Sequence, residues 1–152
     1  MILTLEGFTL SRGYIVKELT ILFDNGDHQH FHFKSPPDFQ PTAGELRTIK
    51  FATAYLHQLP FHDQNPLPSA MIDTILKNAE PQTIIVAGHA AYNFVTDKLP
   101  CSRVIDICKK YGFSYPKELP ETHCFKRHRF RYCALAKAQH IKRFMQVNCI
   151  EM

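Results

Sequence analysis

Two thiols and an imidazole lie close together near the end of the chain, with the spacing Cys-x3-His-x4-Cys at Cys124, His128 and Cys133. Thiolate sulfur and imidazole nitrogen are the donors that structural zinc sites prefer, and such sites have four tetrahedral ligands. Cys133 opens an apolar helical pattern, where the dipole of a helix N-terminus favours a thiolate. The spacing therefore predicts a Zn²⁺ site that takes one further ligand from elsewhere in the chain.

The identity of that further ligand is open on spacing alone. His123 adjoins Cys124, and an imidazole binds zinc at least as well as a carboxylate does. Cys101 and Cys108 are more distant candidates. The chain has five cysteines, an odd count, and we expect no secretory leader, so reduced thiols or metal ligands are favoured over disulfides.

The same stretch carries a run of cations. Lysine or arginine fills four of the six positions 126–131, namely Lys126, Arg127, Arg129 and Arg131. Cations at this density are typical of a surface that contacts phosphates, and a solvated helix face is the alternative. Phe125, Phe130 and Tyr132 lie between or beside these cations, where their rings could stack on nucleic-acid bases.

The composition is that of a globular domain. The chain has 152 residues, of which 45% are hydrophobic and 21% charged, so it can bury a core and is not disordered. No apolar run reaches the roughly 18–20 residues of a membrane helix, and "MILTLEGF" lacks the regions of a secretory signal. We expect one intracellular domain over residues 1–152, in the cytoplasm or nucleus, without membrane association.

Strand patterns dominate the first part of the chain. Alternation predicts three strands, in ILTLEGF (2–8), GYIVKELTILF (13–23) and HQHFHFKSPP (28–37), the last of which Pro36-Pro37 ends. Asn25-Gly26 predicts a hairpin turn between the second and the third. His28, His30 and His32 alternate and therefore share one face of the third strand, for which a half-exposed polar surface is favoured over a metal site.

The remainder of the chain reads as helices and buried strands. Helical patterns cover residues 41–59, 69–80, 92–99 and 133–147, and the apolar runs TIIVAG (83–88) and RVIDIC (103–108) predict strands. The first of these runs suits a strand buried on both faces. Together these elements predict a mixed α/β sheet, with three antiparallel strands plus parallel strands, flanked by helices. Their order is also that of the ribonuclease H-like fold.

Within that fold the chain resembles exonucleases of the DEDDh group, in three short segments. TLEGF lies where their first strand carries Asp-x-Glu, and AGHAAYNF and CALAKA resemble their two later site segments. The resemblance places Thr4, Cys133 and Ala138 where those enzymes have catalytic Asp, His and Asp residues. Only Glu6 is retained in place, and Asn93 and Asp97 are the candidates for their middle Asp. Two-metal cleavage needs several carboxylates to hold cations about 3.5–4 Å apart, so we expect no conventional exonuclease site.

The chain also resembles the Maelstrom domain, a ribonuclease H-like domain of germline small-RNA pathways that lacks the exonuclease carboxylates and carries a Glu-Cys-His-Cys zinc motif. The resemblance assigns this motif to Glu18, Cys124, His128 and Cys133, so that Glu18 becomes the fourth ligand. The chain is similar as well to arthropod and insect-virus proteins that share IVKEL, an HFxFKxP strand and the cysteine–histidine tail.

Strand alternation gives a separate expectation for Glu18. On a regular strand Glu18 shares a face with Val16 and Thr20, and it points into the core if Val16 does. A buried carboxylate without a partner would cost several kcal/mol or become protonated. A glutamate at this position therefore needs a cation, which is either zinc or a Lys or Arg of the basic stretch.

Three hypotheses of function follow. The first is a zinc-stabilised, catalytically degenerate ribonuclease H-like domain that binds RNA; single-stranded RNA and a weak, metal-independent endoribonuclease activity are implied by the resemblance alone. The second is a protein-interaction module on the same fold, with a partner in small-RNA silencing or its viral suppression. The third is a nuclease with an unconventional site built on Glu6, His89, Asp97 or Asp106.

Overall fold

A computed structural model describes residues 1–62, 67–79, 82–117 and 133–151. Within these ranges there are five strands, β1 (Ile2–Leu10), β2 (Gly13–Leu22), β3 (His28–His32), β4 (Thr83–Val86) and β5 (Arg103–Asp106). They form one sheet in the order β3-β2-β1-β4-β5. The pairs β1–β2 and β2–β3 are antiparallel, while β4 runs parallel to both β1 and β5.

The same ranges contain five α-helices, α1 (Ala43–Phe51), α2 (Met71–Asn78), α3 (His89–Lys98), α4 (Ile107–Tyr111) and α5 (Ala134–Val147). The chain leaves α1 through a π-helical turn, Ala52–Leu56. In a reciprocal capping box at the start of α1, Thr42 Oγ1 accepts from Glu45 N and the Glu45 carboxylate accepts from Thr42 N. Across the described part of the chain, no helix has the length and apolar character that crossing a membrane requires.

Only the first four residues of the predicted strand RVIDIC are extended. The strand ends at Asp106, because its side chain accepts a hydrogen bond from Cys108 N and so caps α4. With this shortening, the mixed α/β sheet flanked by helices that the sequence predicts is confirmed. The observed strand order is compatible with a ribonuclease H-like arrangement.

Helices cover both faces of the sheet. On one face Ile84 of β4 belongs to a core cluster that includes Leu76 of α2 and Val95 of α3. On the other face the adjacent Ile85 packs in a cluster with Ile141 of α5. Strand β4 is therefore buried on both faces, as its unbroken apolar run predicts.

A β-bulge at Lys17 changes which side chains of β2 face α5. Glu18 pairs with Glu6 of β1, but the next residue of β1, Gly7, pairs with Val16, so Lys17 is the extra residue. Val16 consequently packs in the cluster on the α2–α3 face, opposite to Glu18. The expectation that Val16 and Glu18 share a face is wrong, because it assumed an unbroken alternation.

The bulge depends on the small size of Gly7. A Cβ atom at this position would lie 1.9 Å from the carbonyl oxygen of Ile15, far inside van der Waals contact. We expect Gly7→Ala to lower the free energy of unfolding by more than about 2 kcal/mol, because the backbone must move apart to admit the methyl group. Urea denaturation followed by circular dichroism measures this change.

Gly44 on α1 is the matched control. The nearest heavy atom to a Cβ placed there is Thr42 Oγ1, at 3.9 Å. Because alanine favours a helix over glycine, Gly44→Ala should leave stability unchanged or raise it by up to about 1 kcal/mol. Equal, small changes in the two variants would contradict the role given to Gly7.

Candidate metal centre

The Glu18 carboxylate lies inside the protein, between the sheet and the start of α5. None of its surface is exposed (0%). Its Oε2 accepts a hydrogen bond from the backbone N–H of Ala134 at 2.8 Å. Ala134 is the first residue of α5, and the helix dipole concentrates partial positive charge at this end. The start of the helix therefore stabilises one oxygen of a buried anion.

Two histidines of β3 face the other oxygen, Glu18 Oε1. His30 Nε2 lies 3.0 Å from it and His32 Nε2 lies 3.7 Å from it. The second nitrogen of His30 is also engaged, because Nδ1 is 2.6 Å from Thr20 Oγ1. The side chains of His30 and His32 are 10% and 16% exposed. They are thus more enclosed than the half-exposed surface that the alternating histidines predict.

Cys133 adds a sulfur donor to this group. It is fully buried (0% exposed) and occupies the cap position immediately before α5. Its Sγ, a carboxylate oxygen of Glu18 and a ring nitrogen of His30 all lie within 4.8 Å of one another. Thiolate, imidazole and carboxylate are all metal ligands, and zinc is among the ions that accept the three, so these residues could hold a metal ion.

The structure brings together two of the four ligands assigned by resemblance, Glu18 and Cys133. Cys101 is exposed and Cys108 is half-buried, and neither belongs to the group. The other residues predicted to bind metal or RNA lie outside the described residues, namely His123, Cys124, Lys126, Arg127, His128, Arg129 and Arg131.

His30 is the member of the group for which the sequence analysis favoured a half-exposed polar surface over a metal site. The predicted hairpin is present, but its loop holds three residues between Phe23 and Asp27. Phe23 N donates to Asp27 O at 2.9 Å, and Gly26 N donates to Phe23 O at 3.0 Å. Gly26 closes the loop with a φ of 96°, a conformation that favours glycine.

The length of this loop decides which face of β3 meets Glu18. With three loop residues, Glu18 pairs with His32 and its diagonal neighbour is His30. A two-residue Asn-Gly turn, the commonest hairpin connection, would shift the register by one and turn Phe31 toward the carboxylate instead. The signal for His30 was therefore present in the sequence, in the number of residues assigned to the turn.

A second polar pair lies next to the metal group. The Glu6 carboxylate of β1 contacts Nζ of Lys137 from α5, and the two side chains are only 7% and 17% exposed. Lys137 Nζ also lies 5.1 Å from the ring centroid of Tyr115, within the range of a cation–π contact. A cation of the protein itself therefore engages the one carboxylate that the exonuclease resemblance retains.

Glu6 and Lys137 line an open cavity of about 330 Å³, together with Tyr14, Gly88 and His89. The cavity lies where the carboxyl ends of β1 and the parallel β4 meet, which is where α/β sheets bind ligands. Burial, with the charge of Glu6 nearby, raises the pKa of Tyr14 well above its usual value. With His57 also in its lining, the cavity offers a protonated phenol, a lysine and two histidines rather than a set of carboxylates.

The three residues that the exonuclease resemblance singles out make structural contacts. Thr4 Oγ1 donates to the carbonyl oxygen of Ala134 at 2.6 Å. Ala138 is buried in the core between α5 and the sheet, and Cys133 belongs to the metal group. These residues thus lie where the start of α5 contacts β1 and β2.

The other carboxylates considered for an unconventional nuclease, Asp97 and Asp106, do not line this cavity. Asp106 Oδ1 accepts hydrogen bonds from Gly88 N and Cys108 N, each at 3.0 Å. Asp97 is exposed on α3. Among the described residues that line the cavity, Glu6 is the only carboxylate.

No protein-family model, curated protein or solved structure matches the chain. The buried metal group and the Glu6–Lys137 pair are the features of the described residues that bear on function.

Proposed function

We propose that this chain is a zinc-stabilised, catalytically degenerate domain of the ribonuclease H-like type, related to the Maelstrom domain, and that it binds RNA. The observation that supports this most directly is the enclosed group of Glu18, His30 and Cys133. Glu6, the cross-strand partner of Glu18, is engaged by a lysine in the place where an exonuclease of this type holds metal ions.

In this proposal the zinc ligands are Glu18, Cys133 and, from the sequence between α4 and α5, Cys124 and His128. His30 holds the Glu18 carboxylate through Nε2, and hydrogen-bonded partners of this kind orient metal ligands. Four protein ligands leave no open coordination position, so zinc supplies a structural cross-link rather than a catalytic water. The ion joins β2 to the start of α5, and through His30 it also restrains β3.

The absence of metal-dependent hydrolysis follows from the Glu6–Lys137 contact. A two-metal site needs several carboxylates free to bind divalent cations. Here the ammonium group of Lys137 neutralises Glu6, and the Thr4 hydroxyl donates a hydrogen bond to the carbonyl oxygen of Ala134. A divalent cation would have to displace a largely buried lysine and would gain only one carboxylate ligand.

RNA binding is supported by the charge of the segment that ends at the metal group. Lysine or arginine fills four of the six positions 126–131, and this run ends two positions before Cys133 in the sequence. Closely spaced cations favour a polyanion through the release of its counterions.

The metal content of the purified chain is the first test of the proposed function. We expect the purified chain to contain about one zinc ion per molecule, and Glu18→Ala and Cys133→Ser each to lower zinc content and melting temperature. His30→Gln should retain the ion but weaken its binding about 10–100-fold, because it removes a partner of a ligand. Metal analysis and chelator competition measure both quantities.

Two variants serve as controls for this prediction. Cys101→Ser removes an exposed thiol and His123→Ala removes the local rival ligand, and neither should change zinc content or melting temperature much. If His123→Ala strips the metal while Glu18→Ala retains it, the proposed ligand set is incorrect. A chain purified without any zinc, and unable to take it up, would contradict the metal site itself.

The salt dependence of RNA binding is the second test of the proposed function. Kd for single-stranded RNA should rise steeply with salt, and Arg127→Ala with Arg129→Ala should reduce the slope of log Kd against log salt by about 1.4, or about 0.7 per lost phosphate contact. The control is Lys77→Ala with Lys98→Ala, which removes the same charge from α2 and α3. Salt-insensitive binding, or equal effects of the two pairs, would show that the basic stretch is not the contact.

Hydrolysis of nucleic acid is the third test of the proposed function. Labelled single-stranded RNA and DNA should show no cleavage that depends on Mg²⁺ or Mn²⁺. The reason is that Glu6, the only carboxylate among the described residues that line the cavity, is already paired with Lys137. Glu6→Gln, purified in parallel, should give the same background. Metal-stimulated cleavage by the parent chain that is lost in Glu6→Gln would mean that the site is an active nuclease.

A further inference from the structure

Helix α1 and its π-helical turn present two aromatic rings to solvent. Phe51 is 55% exposed and Tyr55 is 62% exposed, and their ring centroids are 5.4 Å apart with an interplanar angle of 39°. The opposite side of the same segment buries Ile49 and Ala52 in a core cluster. The exposed rings therefore add little to the core, and paired aromatic side chains on a surface are typical of a binding site.

Two cationic side chains, Arg47 and Lys50, lie on the same helix as the two rings. Arg47 precedes Phe51 by four positions, as Phe51 precedes Tyr55, so the three lie along one side of the helix. Arg47 and Lys50 are both exposed. The rings and these two cations therefore form one continuous surface, here called the α1 face and defined as Arg47, Lys50, Phe51 and Tyr55.

The only acidic residue of α1 does not offset this charge. Glu45 is buried, and its carboxylate accepts hydrogen bonds from Arg12 Nη2 at 2.8 Å and Ser11 Oγ at 2.7 Å. The Arg12 side chain, with the backbone N–H of Thr42, holds the pKa of Glu45 well below its usual range. The carboxylate is thus already neutralised, and the α1 face keeps a net positive charge.

The π-helical turn carries the exposed ring of Tyr55 and leads directly into a buried residue. His57 N donates to Ala52 O at 3.2 Å, the i to i+5 bond of a π turn. Immediately after this turn His57 is only 2% exposed, and its ring packs edge-on against Phe8 at 4.8 Å. Single π turns are rare within helices and occur often at functional sites.

We propose that the α1 face binds single-stranded nucleic acid, with bases stacked on Phe51 and Tyr55 and phosphates paired with Arg47 and Lys50. A partner that matches both features must be a polyanion that carries flat aromatic groups, and single strands offer both to proteins that bind them. The proposal rests on the RNA binding proposed above and adds a second contact surface, on a different element from the basic stretch.

The test measures binding of a fluorescently labelled, single-stranded oligonucleotide of about 12 nucleotides, a length within the usual range for one domain. Phe51→Leu with Tyr55→Leu keeps apolar bulk but removes both rings, and it should raise Kd at least about tenfold. Because no cation is lost, the slope of log Kd against log salt should stay the same. Arg47→Ala with Lys50→Ala should raise Kd and reduce that slope by about 1.4.

Two controls separate stacking from other effects. Phe51→Tyr with Tyr55→Phe keeps both rings and should bind like the parent chain. Val147→Ala removes an apolar side chain that is 74% exposed at the end of α5, and it should leave Kd unchanged. All these positions are exposed, so each variant should melt at the same temperature as the parent chain.

The outcomes distinguish this inference from the proposed function. If the parent chain binds RNA and the ring-free variant binds equally well, the α1 face is not a contact, whereas RNA binding by the domain stands. If the parent chain binds no oligonucleotide, both proposals fail. If the ring-free variant keeps its RNA affinity but loses a defined protein partner, the α1 face is a protein-docking surface and the inference is overturned.

Discussion

A glutamate with no exposed surface must have its charge compensated by the groups around it, and this constraint connects three separate elements of the protein. The Glu18 carboxylate receives a backbone N–H from the first residue of α5 and faces His30 of β3. Cys133, immediately before α5, brings a thiol to the same place. The position of α5 on the sheet, and with it the adjoining core, therefore depends on how this one charge is balanced.

The sheet places a second carboxylate directly beside the first. Glu6 and Glu18 are cross-strand partners, and like charges at such positions repel each other. The protein compensates them differently although both partners come from the start of α5. The backbone N–H of Ala134 donates to the Glu18 carboxylate, and the Cys133 thiol lies beside it. The ammonium group of Lys137, one helical turn later, pairs with Glu6. Two neighbouring carboxylates of the sheet therefore both act as attachment points for one helix.

Patterns that depend on neighbouring residues were sufficient to predict most of the architecture. Alternation identified the first three strands, and the apolar run of β4 indicated a strand covered on both faces. These strand predictions succeed because strand and helix periods are local properties of the chain. The Cys-His spacing ends at the start of α5, where Cys133 lies close to Glu18, and the zinc ion that it predicts stays a prediction.

The features that the sequence did not reveal each involve one additional residue. The bulge at Lys17 moves Val16 away from Glu18, the third loop residue sets the register of His30, and the π turn ends α1 at Phe51 within a continuous helical pattern. Glu18 is buried as expected, but for a reason other than its relation to Val16. Such insertions follow from tertiary packing, which a period of two or 3.6 residues does not report.

The three-residue hairpin loop gives an exposed turn an unusual sensitivity to evolutionary change in length. Surface loops commonly gain and lose residues without harm to the buried structure. Here a deletion of a single loop residue would turn the imidazoles of β3 to the opposite face of the sheet, where phenylalanines now pack, and bring phenyl rings against a buried carboxylate, since side chains alternate between the two faces of a strand. A lineage that keeps Glu18 buried is therefore expected to tolerate substitutions in this turn far more readily than insertions or deletions.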